Sequence, residues 1–207
     1  MLFDFSRLEV LSLEKKDIRK LADDFRKQYS INNIPIDVEL ITEKNLGLYL
    51  VPLKALRLNS SAEAFLSGNL EEIIYDPHSP KVRLRFSIAH EIGHFVLHKE
   101  IISKINPESF EDFKDVQSSI PINILNIIEN QAREFAGRLL VPREFLLNEL
   151  NKFKYIMKII KYLPSLIKFP LLSIFIIPTL SYKFSVSKDV IRRRLYYENI
   201  FNQTNSL

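Results

Sequence analysis

Apolar spacing divides the chain into a helical start, a short strand-rich middle and a long helical remainder. Residues 14–29 place Ile18, Leu21, Ala22, Phe25 and Tyr29 on one helical face with charges elsewhere, which predicts an amphipathic helix with Ser12 as its candidate cap. The segment from Ser30 to Pro35 ends it, and residues 37–45 read as a second short helix before Gly47. From Leu46 the chain becomes β-prone: residues 48–52, 64–67 and 70–75 read as strands, and Gly68-Asn69 predicts a hairpin between the last two. A turn over residues 76–80 leads to a helix over 83–99 and an acidic, irregular connection over 100–120. A further helix over 123–140 carries an apolar stripe of Ala132, Phe135, Ala136, Leu139 and Leu140, with Pro121 suited to its first turn and Pro142 stopping it.

Composition narrows the chemistry. The 207 residues suffice for one sizeable core, and 46% hydrophobic with 26% charged residues is the balance of a folded globular protein. With no cysteine, disulfides, thiolate metal sites and a cysteine nucleophile are excluded, so any metal must be held by His and carboxylate. Asp4 and the lack of a long apolar run set the first residues apart from a secretory signal, and a cytoplasmic protein is expected. The most apolar run, 169–180, is too short for a span of about 20 residues and is broken by Pro170 and Pro178, so no membrane partner is expected. Charge is uneven: residues 151–207 hold 10 Lys+Arg and 2 Asp+Glu, whereas residues 1–150 hold 19 and 23. The charge divides the chain into an acidic body over 1–150, expected to hold any metal site, and a basic helical region over 151–207, expected to face solvent, a polyanion or an acidic partner.

The chemistry concentrates in His90-Glu91-Ile92-Gly93-His94, an H-E-x-x-H unit. On a helix, residues four apart lie on one face, so the two imidazoles converge on a point where zinc fits. Glu91 is one step round from His90, placed to reach a water there rather than to ligate, which is the position of a general base. Ile92, Phe95 and Val96 fall elsewhere and can anchor the helix. A third histidine at the end of the motif is excluded, because Leu97 stands where Gly is required and Glu100 where His is required.

The third ligand is sought on the later helix. Glu129 lies three before Ala132 and seven before Ala136, hence on the packed face, where a carboxylate needs a partner. Glu134, the competing carboxylate, sits one before Phe135 and is expected to be exposed. His78, among prolines, reads as a loop residue, and His98 either as a residue supporting the site or as a plain helix-end histidine. His98, an arginine of the 83–85 segment such as Arg85, or a tyrosine is expected to stabilise the oxyanion. Two imidazoles and a carboxylate suit zinc by default, with manganese as the other candidate.

Residues 85–98 and 129–142, with the strand pair over 64–75, resemble the ImmA/IrrE family of metallo-endopeptidases over about residues 14–150. The resemblance implies an α+β, thermolysin-like (gluzincin-type) minimal zinc peptidase fold, in which a small antiparallel or mixed sheet packs on the metal-binding helices. It implies zinc on His90, His94 and Glu129, catalysis by Glu91, and a helix-turn-helix repressor as substrate. Gln131 and Arg133 depart from the family, which more often has an acidic residue and Asn there. Residues 182–196, with a candidate cap at Ser187 and a helix bearing Arg192, Arg193 and Arg194, resemble half of a helix-turn-helix. Packing or repressor docking is expected of that helix rather than direct nucleic-acid binding. The competing expectation is a non-proteolytic zinc-containing regulator that contacts DNA or a repressor through its basic region.

Overall fold

The computed structural model describes residues 12–54, 56, 62–105, 120–163 and 172–198. Helix α1, Lys15–Gln28, buries Ile18, Ala22 and Phe25, while Leu21 is 40% exposed, so its packed face is narrower than the apolar spacing predicts. Ser12 does not cap it. Glu14 holds the cap position without a side-chain bond, because the helix starts three residues beyond Ser12, out of reach of that hydroxyl. Helix α2, Val38–Leu40, is capped by Asp37, which accepts from Leu40 N–H at 2.9 Å, and continues as a π-helical turn, Ile41–Asn45. Gly47 then reverses the chain at φ +69, a backbone region that glycine enters without steric cost.

Three strands follow: β1, Tyr49–Pro52; β2, Ala64–Leu66; and β3, Glu72–Tyr75, in the order β1-β3-β2. The predicted hairpin pairs β2 with β3 antiparallel, Phe65 opposite Ile74, and β1 joins the other side of β3 in parallel, Leu50 opposite Ile73. The sheet is therefore mixed, and β2 is an edge strand packed against the next helix.

That helix, α3, spans Lys81–Ile105. It outruns the expected 83–99 at both ends, so residues 100–105 are helical rather than irregular. Ile102, four residues beyond the buried His98, prolongs the packed stripe and supplies the burial that extends the helix. The rest of the acidic connection, 106–119, lies outside the described residues. Helix α4, Ile122–Leu140, buries Ala132, Phe135, Ala136, Leu139 and Leu140, the whole predicted stripe. Pro142 separates it from α5, Arg143–Asn151, and α6, Lys154–Lys161, follows. A π-helical turn, Leu172–Ile176, leads into α7, Ile177–Phe184; Ser185, at φ 52, turns the chain, and Ser187 caps α8, Lys188–Tyr197, accepting from Val190 N–H at 3.3 Å. The chain is thus α+β, with a small mixed sheet laid on helices. Among the described residues no helix is long and apolar enough to cross a membrane.

One apolar core draws on nearly every element, from Ile18 and Phe25 of α1 through Ile73, Ile88, Ile92, Phe135 and Leu139 to Phe184, Ile191 and Leu195. Phe25 meets Phe135 edge to face at 5.8 Å between centroids. The closest packing is between α3 and α4, where a Cβ on Gly93 would sit 3.0 Å from the Ala132 carbonyl oxygen and 3.3 Å from the Phe135 ring. Glycine on one helix opposite alanine on the other lets two backbones approach, and that approach carries the site described next.

Candidate metal centre

His90 and His94 stand on one face of α3, and Glu129 reaches them from α4. The two Nε2 atoms are 3.0 Å apart, and the Glu129 carboxylate places Oε2 3.3 Å from His90 Nε2 and Oε1 3.4 Å from His94 Nε2. Tetrahedral bonds of about 2.0–2.1 Å to zinc put ligand atoms about 3.3 Å apart. The two imidazole nitrogens and the two carboxylate oxygens thus cluster at separations close to that edge length, and a donor set of two imidazoles and a carboxylate suits a divalent ion with a further position left for water. Among the described residues this is the group able to hold a metal.

Electrostatics agree with the geometry. Burial pushes the Glu129 carboxyl up, but hydrogen bonds to His90 and His94 outweigh it and hold the group well below the usual carboxylate range. Glu129 stays charged, the state in which a carboxylate can hold a cation. Arg133, one turn on, donates Nη2 to Glu129 Oε2 at 3.1 Å. Glu91, one residue beyond His90, is buried, and its Oε2 accepts from Leu66 N–H at 2.9 Å. Burial pushes its carboxyl up to about 7, against the opposing influence of His94. A carboxylate with this pKa is poised to exchange a proton near neutrality.

His98 is not a plain helix-end histidine: it is buried and joins the triad through a chain of hydrogen bonds. Its Nε2 lies 2.8 Å from Gln131 Oε1, which can only accept, so this nitrogen carries the proton. Burial, assisted by the proximity of His94, lowers the His98 pKa to about 4 and keeps the ring neutral, so Nδ1 must accept. The donor facing it at 3.2 Å is His94 Nδ1–H. Once the Nε2 proton that bonds Glu129 is given up, as metal ligation would require, His94 keeps its Nδ1–H and its lone pair lies on Nε2, aimed at the triad. The Gln131 departure from the family pattern thus has a role that only the fold reveals, since residues 33 apart in sequence meet here.

Other candidates lie elsewhere. His78 is exposed, 3.5 Å from Asp76 in the turn before α3. Arg85 does not reach the triad: its Nη2 donates to the Ile36 carbonyl at 2.6 Å and its Nε to the Ser185 carbonyl at 3.3 Å, tying the segment before α2 to the α7–α8 turn. Arg83 pairs with Glu63 at 3.1 Å. Both His98 nitrogens are committed to His94 and Gln131, so this histidine supplies no oxyanion donor.

Glu134 is buried, contrary to its expected exposure. Its Oε1 accepts from Arg194 Nη1 at 2.7 Å and from Arg19 Nε at 2.6 Å, so two arginines from α8 and α1 neutralise it on a face of α4 away from the histidines. The network continues from Arg194 to Glu198, which also receives Arg138 Nη1 at 2.7 Å, and from Arg138 to Asp23 at 2.5 Å. Of the three consecutive arginines in α8, Arg194 is therefore 2% exposed and spent internally, leaving Arg192 and Arg193 on the surface.

Comparison with known proteins agrees with this architecture. Residues 44–196 match the model of the peptidase M78 family, described as the IrrE N-terminal-like domain. Among solved structures, a chain described as a Mycobacterium tuberculosis transcriptional regulator is similar at a TM-score of 0.52 and 14% identity, over 87% of this chain and 46% of that one. The present chain thus spans about half of that regulator's length, and the likeness is one of fold. No curated protein matches the chain.

Proposed function

This chain belongs to the IrrE N-terminal-like family of the peptidase M78 class, and from that premise we propose that it is a zinc-dependent endopeptidase acting on a regulatory protein in the cytoplasm. The observation that carries the reading is the triad itself: two imidazoles and a carboxylate converging within 3.0–3.4 Å of one another, with a buried carboxyl of pKa about 7 beside them. His90, His94 and Glu129 would hold the ion, zinc by default and manganese as the other candidate. A divalent cation held there polarises a carbonyl and acidifies water. Glu91, with Oε2 held by Leu66 N–H, keeps its other oxygen to take the proton of the attacking water and pass it to the leaving amine. His98 and Gln131 act through His94, fixing its ring and tautomer.

The sheet supplies a place for the substrate backbone. Ladder bonds from Ser67 N–H to the Glu72 carbonyl and from Asp76 N–H to the Glu63 carbonyl face β3, so Ala64 and Leu66 turn their backbone groups toward the open edge of β2. Leu66 N–H marks where that edge faces, since it meets Glu91. An extended peptide added along β2 would lie beside the triad. A helix-turn-helix repressor is the proposed substrate; the regulator among the fold neighbours is consistent with work in transcriptional control.

The test is incubation of the metal-loaded protein with repressors encoded beside it. Wild type should cleave one of them, Glu91→Gln should retain metal and lose cleavage, and Glu129→Ala should lose metal. Full cleavage by metal-loaded Glu91→Gln would refute the assignment. A second reading rests on the α7–turn–α8 pair with Arg192 and Arg193 exposed: a regulator that binds DNA without proteolysis. A salt-dependent gel shift together with no cleavage of any co-encoded repressor would favour it.

A further inference from the structure

The faces of α3 and α4 that carry the triad do not end at it. Arg83, Phe86, Ser87 and His90 share one helical face, as do Glu129, Arg133 and Gly137. Where these faces run on toward the start of α3 and the end of α4, they line an open cavity of about 520 Å³, to which α8 and Lys15 of α1 contribute further lining. Arg133 belongs to both places, since it lines the cavity and donates to Glu129. The cavity is thus a continuation of the site, with a volume in the range of ligand pockets of about 300–1,000 Å³.

Its charge is lopsided in a way that pairing explains. Five cationic side chains and three carboxylates line it. The carboxylates are all engaged: Glu63 by Arg83, Glu134 by Arg194 and Arg19, and Asp189 by Arg192 at 2.6 Å. Arg133 is taken by Glu129. Lys15 stands 4.4 Å from the Tyr197 ring centroid, a contact that positions its ammonium without neutralising it. Arg193, exposed at the rim, has no carboxylate partner among the described residues. Among the described residues two cations are therefore left without a carboxylate, facing a pocket whose apolar wall is Val82, Phe86 and Val190.

Resting on the peptidase reading, we propose that this cavity is the subsite that receives an acidic side chain of the peptide substrate. The helical rise of 1.5 Å per residue puts Phe86 and Arg83 roughly 6–10 Å along α3 from His90. An extended peptide advances about 3.3 Å per residue, so the acidic residue lies about two to three positions from the scissile bond. Arg193 and Lys15 take its carboxylate, and the apolar wall takes its methylenes.

The test uses the full-length, metal-loaded Glu91→Gln protein, so that binding is read without cleavage. Probes are fluorescein-labelled alanine-rich peptides carrying Asp-Glu or the matched Asn-Gln, with inorganic phosphate as a separate ligand. The acidic peptide should bind about fivefold tighter at about 0.05 M salt, and the preference should fade at about 0.5 M. Adding Arg193→Glu, a change on the exposed rim, should reverse the preference toward a matched lysine peptide, a gain that misfolding cannot imitate. Equal binding of acidic and neutral peptides overturns the proposal, as does an Arg193-dependent response to phosphate with no discrimination between the peptides, which would make this a free-anion site. Acidic preference in binding, with no peptide or repressor cut by wild type, leaves the subsite standing and removes the peptidase reading.

Discussion

Replacing Gly93 by alanine tests whether the approach of α3 to α4 is what assembles the site. Gly93 lies between the two histidines, and the added Cβ would be 3.0 Å from the Ala132 carbonyl oxygen, 3.2 Å from its Cα and 3.3 Å from Phe135 Cδ1. Two of these atoms are backbone within a helix and cannot turn aside, so α4 must retreat by a few tenths of an ångström. Overpacking of this kind costs about 1–3 kcal/mol, while alanine in place of glycine within a helix returns about 1 kcal/mol. The net expectation for the metal-free protein is a loss of about 0–2 kcal/mol. Ala132 is three residues beyond Glu129, so the retreat carries this carboxylate away from the histidines, and on the proposed ligation metal affinity should fall about tenfold or more. Gly137→Ala is the control: its Cβ would meet only Arg194 Cδ, at an ordinary 3.5 Å, so propensity should prevail and raise the melting temperature by about 2–4 °C. Thermal denaturation without metal and chelator competition with metal measure both. If Gly93→Ala gains as much stability as Gly137→Ala and binds metal as wild type does, close packing does not set the ligand geometry.

On the proposed ligation, His98→Ala should lower metal affinity about 10–100-fold while leaving His90, His94 and Glu129 in place, and Gln131→Glu should disturb it less, because a carboxylate still accepts from His98 Nε2–H; chelator competition on both variants decides. Glu91 offers a pH prediction for the metal-free protein. Its folded pKa of about 7 lies above 4.5, so the folded state keeps a proton that the unfolded chain has released; the contribution is complete below pH 4.5 and is lost as pH rises toward 7. Glu91→Gln does not titrate, and should exceed wild type in stability by up to about 3 kcal/mol at pH 8 but not at pH 4; an equal difference at both pH values in urea denaturation would contradict the burial argument. Arg194→Ala strips Glu134 and Glu198 of a shared buried partner and should cost about 3–5 kcal/mol, read as a lowered urea midpoint.

Much of the fold was legible because it is local. The hairpin over 64–75 announces itself by two apolar runs about Gly68-Asn69, and α4 by a complete stripe between two prolines. What was missed depends on partners far along the chain. The parallel pairing of β1 with β3 joins residues more than twenty apart and has no turn signal to mark it, and the length of α3 follows from the packing of Ile102, which no cap residue advertises. The Ser12 cap failed for a smaller reason: a hydroxyl three residues ahead of the first helical residue lies upstream of the cap position, which Glu14 holds.

The site divides along the same line, and the two glutamates of α4 show why. Glu129 was readable because its argument needs only one helix: a carboxylate on an apolar face, beside small residues, implies a partner brought by a neighbour. Glu134 fails by that same logic, since a residue off the main stripe should be exposed, yet α1 and α8 bring Arg19 and Arg194 from 115 and 60 residues away to cover it. Once those arginines are seen, the row of three in α8 changes meaning. Arg194 is tied to α4 through Glu134, Arg193 is left at the rim of the cavity, and Arg192 pairs with Asp189. Three residues that composition treats alike are thus sorted by burial into an internal tie, a candidate substrate contact and a surface pair. Part of the basic excess of the chain's last quarter, Arg194, is the counter-charge of Glu134 on α4, so the bulk charge of the region overstates the attraction it can offer a polyanion.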